Sequence, residues 1–164
     1  YTISYVYDHT HAPTMLTLYW QLGEDDARHS MFQWISQNLT LSEISHLTYV
    51  GISLYPQEAP MGTAFNRVVT VLHNVWFPKQ TIFISELGYG GQGVTGSWWW
   101  GSPTASGDSQ KAEVYNLYLA ALLAYPYGGG GGFWWYFAED FTNEPKLMSA
   151  MHALYADTRI GPFA

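Results

Sequence analysis

Four apolar strand-like runs, each followed by a segment of helical period, constrain this chain more than any other feature. The runs are Thr14–Leu22, Thr48–Tyr55, Thr81–Glu86 and Phe133–Phe137. Behind the first come Ala27, Met31, Phe32, Ile35 and Leu39, with Asp25 or Asp26 as candidate N-cap. Behind the second come Phe65, Val68, Val69, Leu72, Val75 and Trp76. Behind the third come Ala112, Tyr115, Leu119, Leu122 and Leu123, starting at Asp108 or Ser109. Behind the fourth come Leu147, Met151, Leu154 and Tyr155, with Asn143 as cap and Pro145 in the first turn. Such alternation predicts an α/β fold with parallel strands. The runs do not alternate cleanly between apolar and polar residues, as expected where both faces are buried. Successive strand starts near 14, 48 and 81 are spaced by about 33 residues, the size of one βα unit.

The third unit is longer. Its excess is a Gly- and Trp-rich stretch between Leu87 and Gly107, and a loop that long in a compact domain carries function or is disordered. Thr2–Tyr7 also reads as a strand, too close to the next one for a parallel crossover. Residues 1–13 are therefore expected to be an arm, a hairpin or the end of an upstream element, and residues 1–164 a single unit.

Composition removes several function classes. There is no cysteine, which excludes disulfides, Cys-ligated zinc and thiol catalysis. Six Lys plus Arg against 13 Asp plus Glu give a net charge of −7, so nucleic acid and anionic membrane are poor partners. No apolar run approaches the length of a membrane span. The chain starts at Tyr1 without a signal-peptide pattern and reads as a fragment or processed product. The sequon Asn38-Leu39-Thr40 is a weak pointer to secretion and leaves localisation open. The eight Trp, 13 Tyr and eight Phe exceed what a core of this size needs, so part of the aromatic surface is available for binding.

Glu86 is the sharpest candidate. It ends the apolar run Phe83-Ile84-Ser85-Glu86 just before the long loop, and C-terminal strand ends form the ligand site of parallel α/β folds. The competing reading is a structural carboxylate bonded to loop amides. In Gly51-Ile52-Ser53-Leu54-Tyr55, alternate residues share a face, so Gly51, Ser53 and Tyr55 point one way and Val50, Ile52 and Leu54 the other. Tyr55 then falls beside Glu86, within hydrogen-bond reach, unless it is an ordinary turn aromatic before Pro56. Trp134 and Trp135 face opposite sides of their strand; the glycines Gly128–Gly132 before them could equally be a linker. Trp98, Trp99 and Trp100 suit stacking on sugar rings, or form a lid packed on its own domain. Asp8, His9 and His11 lack a third ligand at metal-site spacing, and no metal is expected.

In order and spacing, these segments resemble strands 5–8 of the retaining glycoside hydrolases of the (β/α)8 clan with two catalytic glutamates. Arabinogalactan endo-galactanases are similar. Ile84-Ser85-Glu86-Leu87-Gly88 resembles the strand that bears the nucleophile, and Ile52-Ser53-Leu54-Tyr55-Pro56 the strand whose Tyr bonds to it. Phe133-Trp134-Trp135-Tyr136 resembles the strand that supplies a Trp floor for the sugar. The resemblance implies the C-terminal half of a TIM barrel, four βα units, covering about residues 14–156. It implies hydrolysis of O-glycosidic bonds with Glu86 as nucleophile and Tyr55 beside it. Trp135, Trp98, Trp99, Trp100, Tyr89, Tyr19 and Gln21 would bind a carbohydrate substrate, with no cofactor. No Asn-Glu acid/base precedes the first of these strands, so strands 1–4 are expected from a missing N-terminal half or a second half-barrel. Two alternatives remain: a non-catalytic carbohydrate-binding or structural half-barrel, and an α/β-barrel enzyme of phosphorylated metabolites, which the absence of a Gly-rich phosphate loop with basic support disfavours.

Overall fold

The computed structural model describes residues 2–21, 26–57, 59, 61–89 and 107–156. In chain order these form α1 (Thr2–Thr10), β1 (Met15–Tyr19), α2 (Met31–Asn38), α3 (Leu41–Ser45), β2 (Tyr49–Leu54), α4 (Ala64–Val71), β3 (Thr81–Leu87), α5 (Asp108–Leu123), β4 (Gly128–Trp134), α6 (Phe137–Asp140) and α7 (Pro145–Ala156). The fold is mixed α/β. The four strands form one parallel sheet in the order β1-β2-β3-β4, each joined to the next through helix.

One face of the sheet is covered. Val50, Ile52 and Leu54 of β2 and Ile82, Ile84 and Leu87 of β3 are fully buried with Phe65 and Val69 of α4 and Val114, Tyr118, Leu119 and Leu122 of α5. That split of β2 is the one expected from strand alternation. Helix α5 spans β3 and β4 and packs on α4 and α7. The opposite face is a concavity of about 560 Å³ lined by Met15, Tyr49, Thr81, Phe83, Ser85, Gly129 and Phe133. Met15 and Phe133, on the two edge strands, are 51% and 62% exposed, so this apolar face has no cover among the described residues.

Several elements differ from expectation. Thr2–Tyr7 belongs to helix α1, not to a strand. A lone strand there would leave its amides and carbonyls unpaired, whereas a helix satisfies them internally; Thr10 Oγ1 also donates to the Val6 carbonyl, and Tyr7 stacks on His46 at 4.5 Å. Asp26 opens a 3₁₀ turn at Ala27–His29, its carboxylate accepting from the Arg28 amide and guanidinium, and the α-helix after β1 starts only at Met31, behind Ser30. It ends at Asn38, and a Thr40/Glu43 capping box opens the separate helix α3.

The fourth strand begins at Gly128 and ends at Trp134, five residues before and three before the expected limits. The glycine run is strand, not linker, because α5 returns so close to β4. A Cβ on Gly128 would lie 2.1 Å from the Leu122 carbonyl oxygen. Pro145 does open α7, but Asn143 does not cap it. The Asp108 carboxylate accepts from the Lys146 and Leu147 amides, both at 2.9 Å, so the start of α5 caps the start of α7. Asn143 donates instead to the Glu139 carbonyl.

Candidate active site

The site begins with an irregularity in β3. Ile52 of β2 pairs with Ile84, but Ser53 pairs with Glu86. On the other side, Gly132 pairs with Ile84 and Trp134 with Leu87. Both neighbours therefore register one extra residue in β3 between Ile84 and Leu87. Strict alternation would send either Ile84 or Leu87 to the open face. The bulge lets both stay buried against the helices and turns Glu86 toward Ser53. Ser85, the extra residue, crowds Gly51: a Cβ there would come within 2.5 Å of Ser85 Cβ, so β2 needs glycine opposite the bulge.

Glu86 is half-buried at the C-terminal end of the sheet. The Ser53 hydroxyl donates to its Oε2 at 2.7 Å and the Tyr55 hydroxyl to the same oxygen at 2.8 Å. The expected Tyr55–Glu86 proximity is thus present. Burial, reinforced by the Glu86 carboxylate that accepts its proton, pushes the Tyr55 phenol far above the ordinary tyrosine range, so it stays a donor at any physiological pH. Its ring lies over Gly88, where a Cβ would be 2.7 Å from Tyr55 Cε1.

Three aromatics rim this carboxylate, one from each of the other strand ends. Tyr19, 43% exposed, lies 6.3 Å from the Tyr55 ring. Trp135, 58% exposed, meets Tyr55 edge-on at 6.3 Å. Its amide donates to the Leu87 carbonyl at 3.0 Å, which fixes it one residue beyond β4. Trp134 faces the other way, buried, with its indole N–H on Asp140 Oδ2 at 2.8 Å. Asp140 in turn takes Lys111, which also holds Glu144, each at 2.7 Å. Burial opposes the Lys111 charge, but the two carboxylates outweigh it and raise its pKa.

Gln21 is half-buried and shares with Tyr19 a groove of about 300 Å³, with His29, Met31 and Trp34 on its wall. Tyr89 is not at the rim. Its ring is fully buried and its hydroxyl donates to Gln110 at 3.1 Å, behind the strand end rather than over it. Trp98, Trp99 and Trp100 lie outside the described residues, as do Glu24 and Glu58. Among the described residues no cluster of three His, Asp or Glu side chains is placed to hold a metal, and no helix is long and apolar enough to cross a membrane.

Sequence reasoning placed Ser53 on this face but gave it no role, and it missed Gly88 and Trp34. The strand alternation that put Ser53 beside Tyr55 was a usable signal for the first. The bulge that brings Glu86 to both left none, because Ser85 is unremarkable in sequence. A carboxylate held through one oxygen, beside exposed aromatic rings, can act as a nucleophile or as a hydrogen-bond acceptor for hydroxyl groups. No protein-family model, no curated protein and no solved structure matches the chain.

Proposed function

We propose that this chain is the nucleophile-bearing, C-terminal half of a (β/α)8 barrel in a retaining glycoside hydrolase. The observation that carries the reading is the Glu86 site: a carboxylate at the C-terminal end of a parallel strand, anchored through Oε2 by Ser53 and Tyr55, inside a rim of Tyr19, Tyr55 and Trp135. Ring faces and edges of this kind suit the C–H faces of sugars, while the hydroxyls bond at the polar rim. Among the described residues the sheet face is open and both strand edges are unpaired, which agrees with a barrel that needs further strands.

In the first step Glu86 forms a bond to the anomeric carbon as the glycosidic C–O bond breaks. The electron pair leaves on the aglycone oxygen, which takes a proton from a carboxylic acid contributed outside the described residues. In the second step that carboxylate deprotonates a water, the water oxygen attacks the anomeric carbon, and Glu86 leaves as carboxylate. No cofactor is required. Retention needs the two carboxyl groups about 5–5.5 Å apart.

A second reading uses the same site: a carbohydrate-binding half-barrel without hydrolysis would present the same Glu86 and the same rim of Tyr19, Tyr55 and Trp135. Glu86→Gln in the intact protein separates the two. The substitution keeps the shape and removes the nucleophilic charge. Release of reducing ends from β-1,4-galactan and a panel of other β-linked polysaccharides is expected to fall by roughly 10³-fold or more, with binding by calorimetry largely kept. Hydrolysis at the parent rate makes Glu86 structural; binding without hydrolysis in the parent favours the binding module.

A further inference from the structure

Both hydrogen bonds to Glu86 end on one oxygen. Among the described residues no donor reaches Oε1. The two donors differ in kind. Tyr55 sits beyond the end of β2 on a long side chain whose ring also meets Tyr19 and Trp135, so it lies where a ligand would touch it. Ser53 is inside β2, only 5% exposed, the register partner of Glu86 across the ladder. Its hydroxyl hangs on a single rotor, and its one proton is committed to Oε2. Removing it leaves a void beside a half-buried carboxylate and one remaining donor, about which the carboxylate can swing.

We infer that Ser53 is a positioning residue for Glu86: with Tyr55 it pins Oε2 and makes Oε1 the atom that attacks. This rests on the reading of Glu86 as nucleophile. The chemistry follows from unequal charge. Two charge-assisted bonds draw negative charge onto Oε2 and fix the carboxylate plane. Oε1, with no donor among the described residues, keeps its lone pairs free for a new bond. Ser53 touches neither sugar nor reacting carbon. Its loss therefore disturbs the orientation needed at the transition state and leaves ground-state sugar contacts in place. The bulge is part of the same device: with Ile84 and Leu87 both anchored in the core, β3 has no freedom to turn Glu86 away from Ser53.

The test compares Ser53→Ala and Ser53→Thr with the parent, each in the intact protein. Infrared spectroscopy with isotope-labelled glutamate, using Glu86→Gln to assign the band, reads the separation of the two carboxylate stretches, which reports unequal hydrogen bonding of the two oxygens. The separation is expected to change in Ser53→Ala and to return in Ser53→Thr, which restores the hydroxyl. Kinetics use dinitrophenyl β-glycosides of galactose, glucose and xylose, whose leaving group departs without a proton. We expect kcat to fall roughly 10–100-fold in Ser53→Ala with KM little changed, and Ser53→Thr to recover most of it. An unchanged spectrum, or equal kcat in Ser53→Ala and the parent while Glu86→Gln is inactive, overturns the role of Ser53 alone. A Glu86→Gln variant with parental turnover overturns the nucleophile, whatever Ser53 does. Should the parent turn over none of the three glycosides, the infrared arm still decides whether Ser53 holds the carboxylate.

Discussion

Glu86 can serve as a nucleophile only if it stays aimed, and Tyr55 contributes by remaining protonated and donating to Oε2. Burial and then the Glu86 charge hold its phenol above the usual range. For a tyrosine raised in the folded state, the associated stability is complete below the unfolded value of about 10 and is lost as pH climbs through the folded value. Glu86→Gln removes one of the two causes and leaves burial. The Tyr55 phenol is therefore expected to ionise at lower pH in that variant, yet still above the ordinary range, and the alkaline loss of stability attributable to Tyr55 shrinks. Ultraviolet difference titration against Tyr55→Phe measures this directly; an identical Tyr55 titration in parent and Glu86→Gln means the bond carries no charge. At this scale the sequence was legible wherever strand parity decided the outcome. It set Trp134 and Trp135 on opposite faces, the resemblance pointing to Trp135 as the one at the site, and put Ser53 and Tyr55 on one face. It failed at Tyr89, because a tyrosine two residues past a strand end can turn into the core when a polar partner such as Gln110 is buried there.

Elements were legible where the apolar pattern was dense. β2 and β3 were expected at Thr48–Tyr55 and Thr81–Glu86 and are observed within one residue at each end. β4 was not, because close approach of α5 required glycines, and glycines carry no periodic signal. α1 was misread because its apolar residues Ile3, Tyr5 and Tyr7 alternate like a strand, although the described sheet holds no partner for it. Capping of α7 was misassigned because its acceptor comes from the start of α5, 38 residues earlier in the chain than Lys146, a distance no local rule spans. That cap makes an element-scale prediction. Asp108→Ala strips the Lys146 and Leu147 amides of their acceptor and unties α5 from α7 at one end. A loss of about 1 kcal/mol is expected, the usual cost of deleting a side-chain cap. Urea unfolding should show a lower midpoint with unchanged slope, and Asp108→Asn should recover part of it. A midpoint equal to the parent's means water caps α7 as well as Asp108 does.

At the scale of the molecule the unresolved tension is between a covered face and an open one. All-parallel sheets are normally buried on both sides, and here, among the described residues, helices cover one side only. The residues left exposed are not randomly placed. On the open face the most exposed large side chains are Met15 and Tyr19 of β1 and Phe133 of β4, with Trp135 one residue past β4, while Tyr49 of β2 and Phe83 of β3 line the face between them and are less exposed. Closing the sheet into a barrel would bury these edge residues against incoming strands, beside the aromatic pair Tyr49 and Phe83 already packed on the central strands. The edges themselves carry none of the usual protections: β1 is Met-Leu-Thr-Leu-Tyr and β4 is Gly-rich, without Lys, Pro or inward charge. Residues 1–164 produced alone are therefore expected to self-associate through these edges. They are also expected to lack hydrolase activity, because on the half-barrel reading the acid/base comes from the missing strands and both steps of retention need that second carboxyl group. Light scattering sizes the preparation, and reducing-end release from β-linked polysaccharides measures turnover. A soluble monomer with ordinary turnover would overturn the half-barrel reading and send the search for the acid/base to Glu24, Glu58 and Glu139. Asp140 would be the poorest choice of the four, because its carboxylate is already committed to Lys111 and Trp134 behind the sheet.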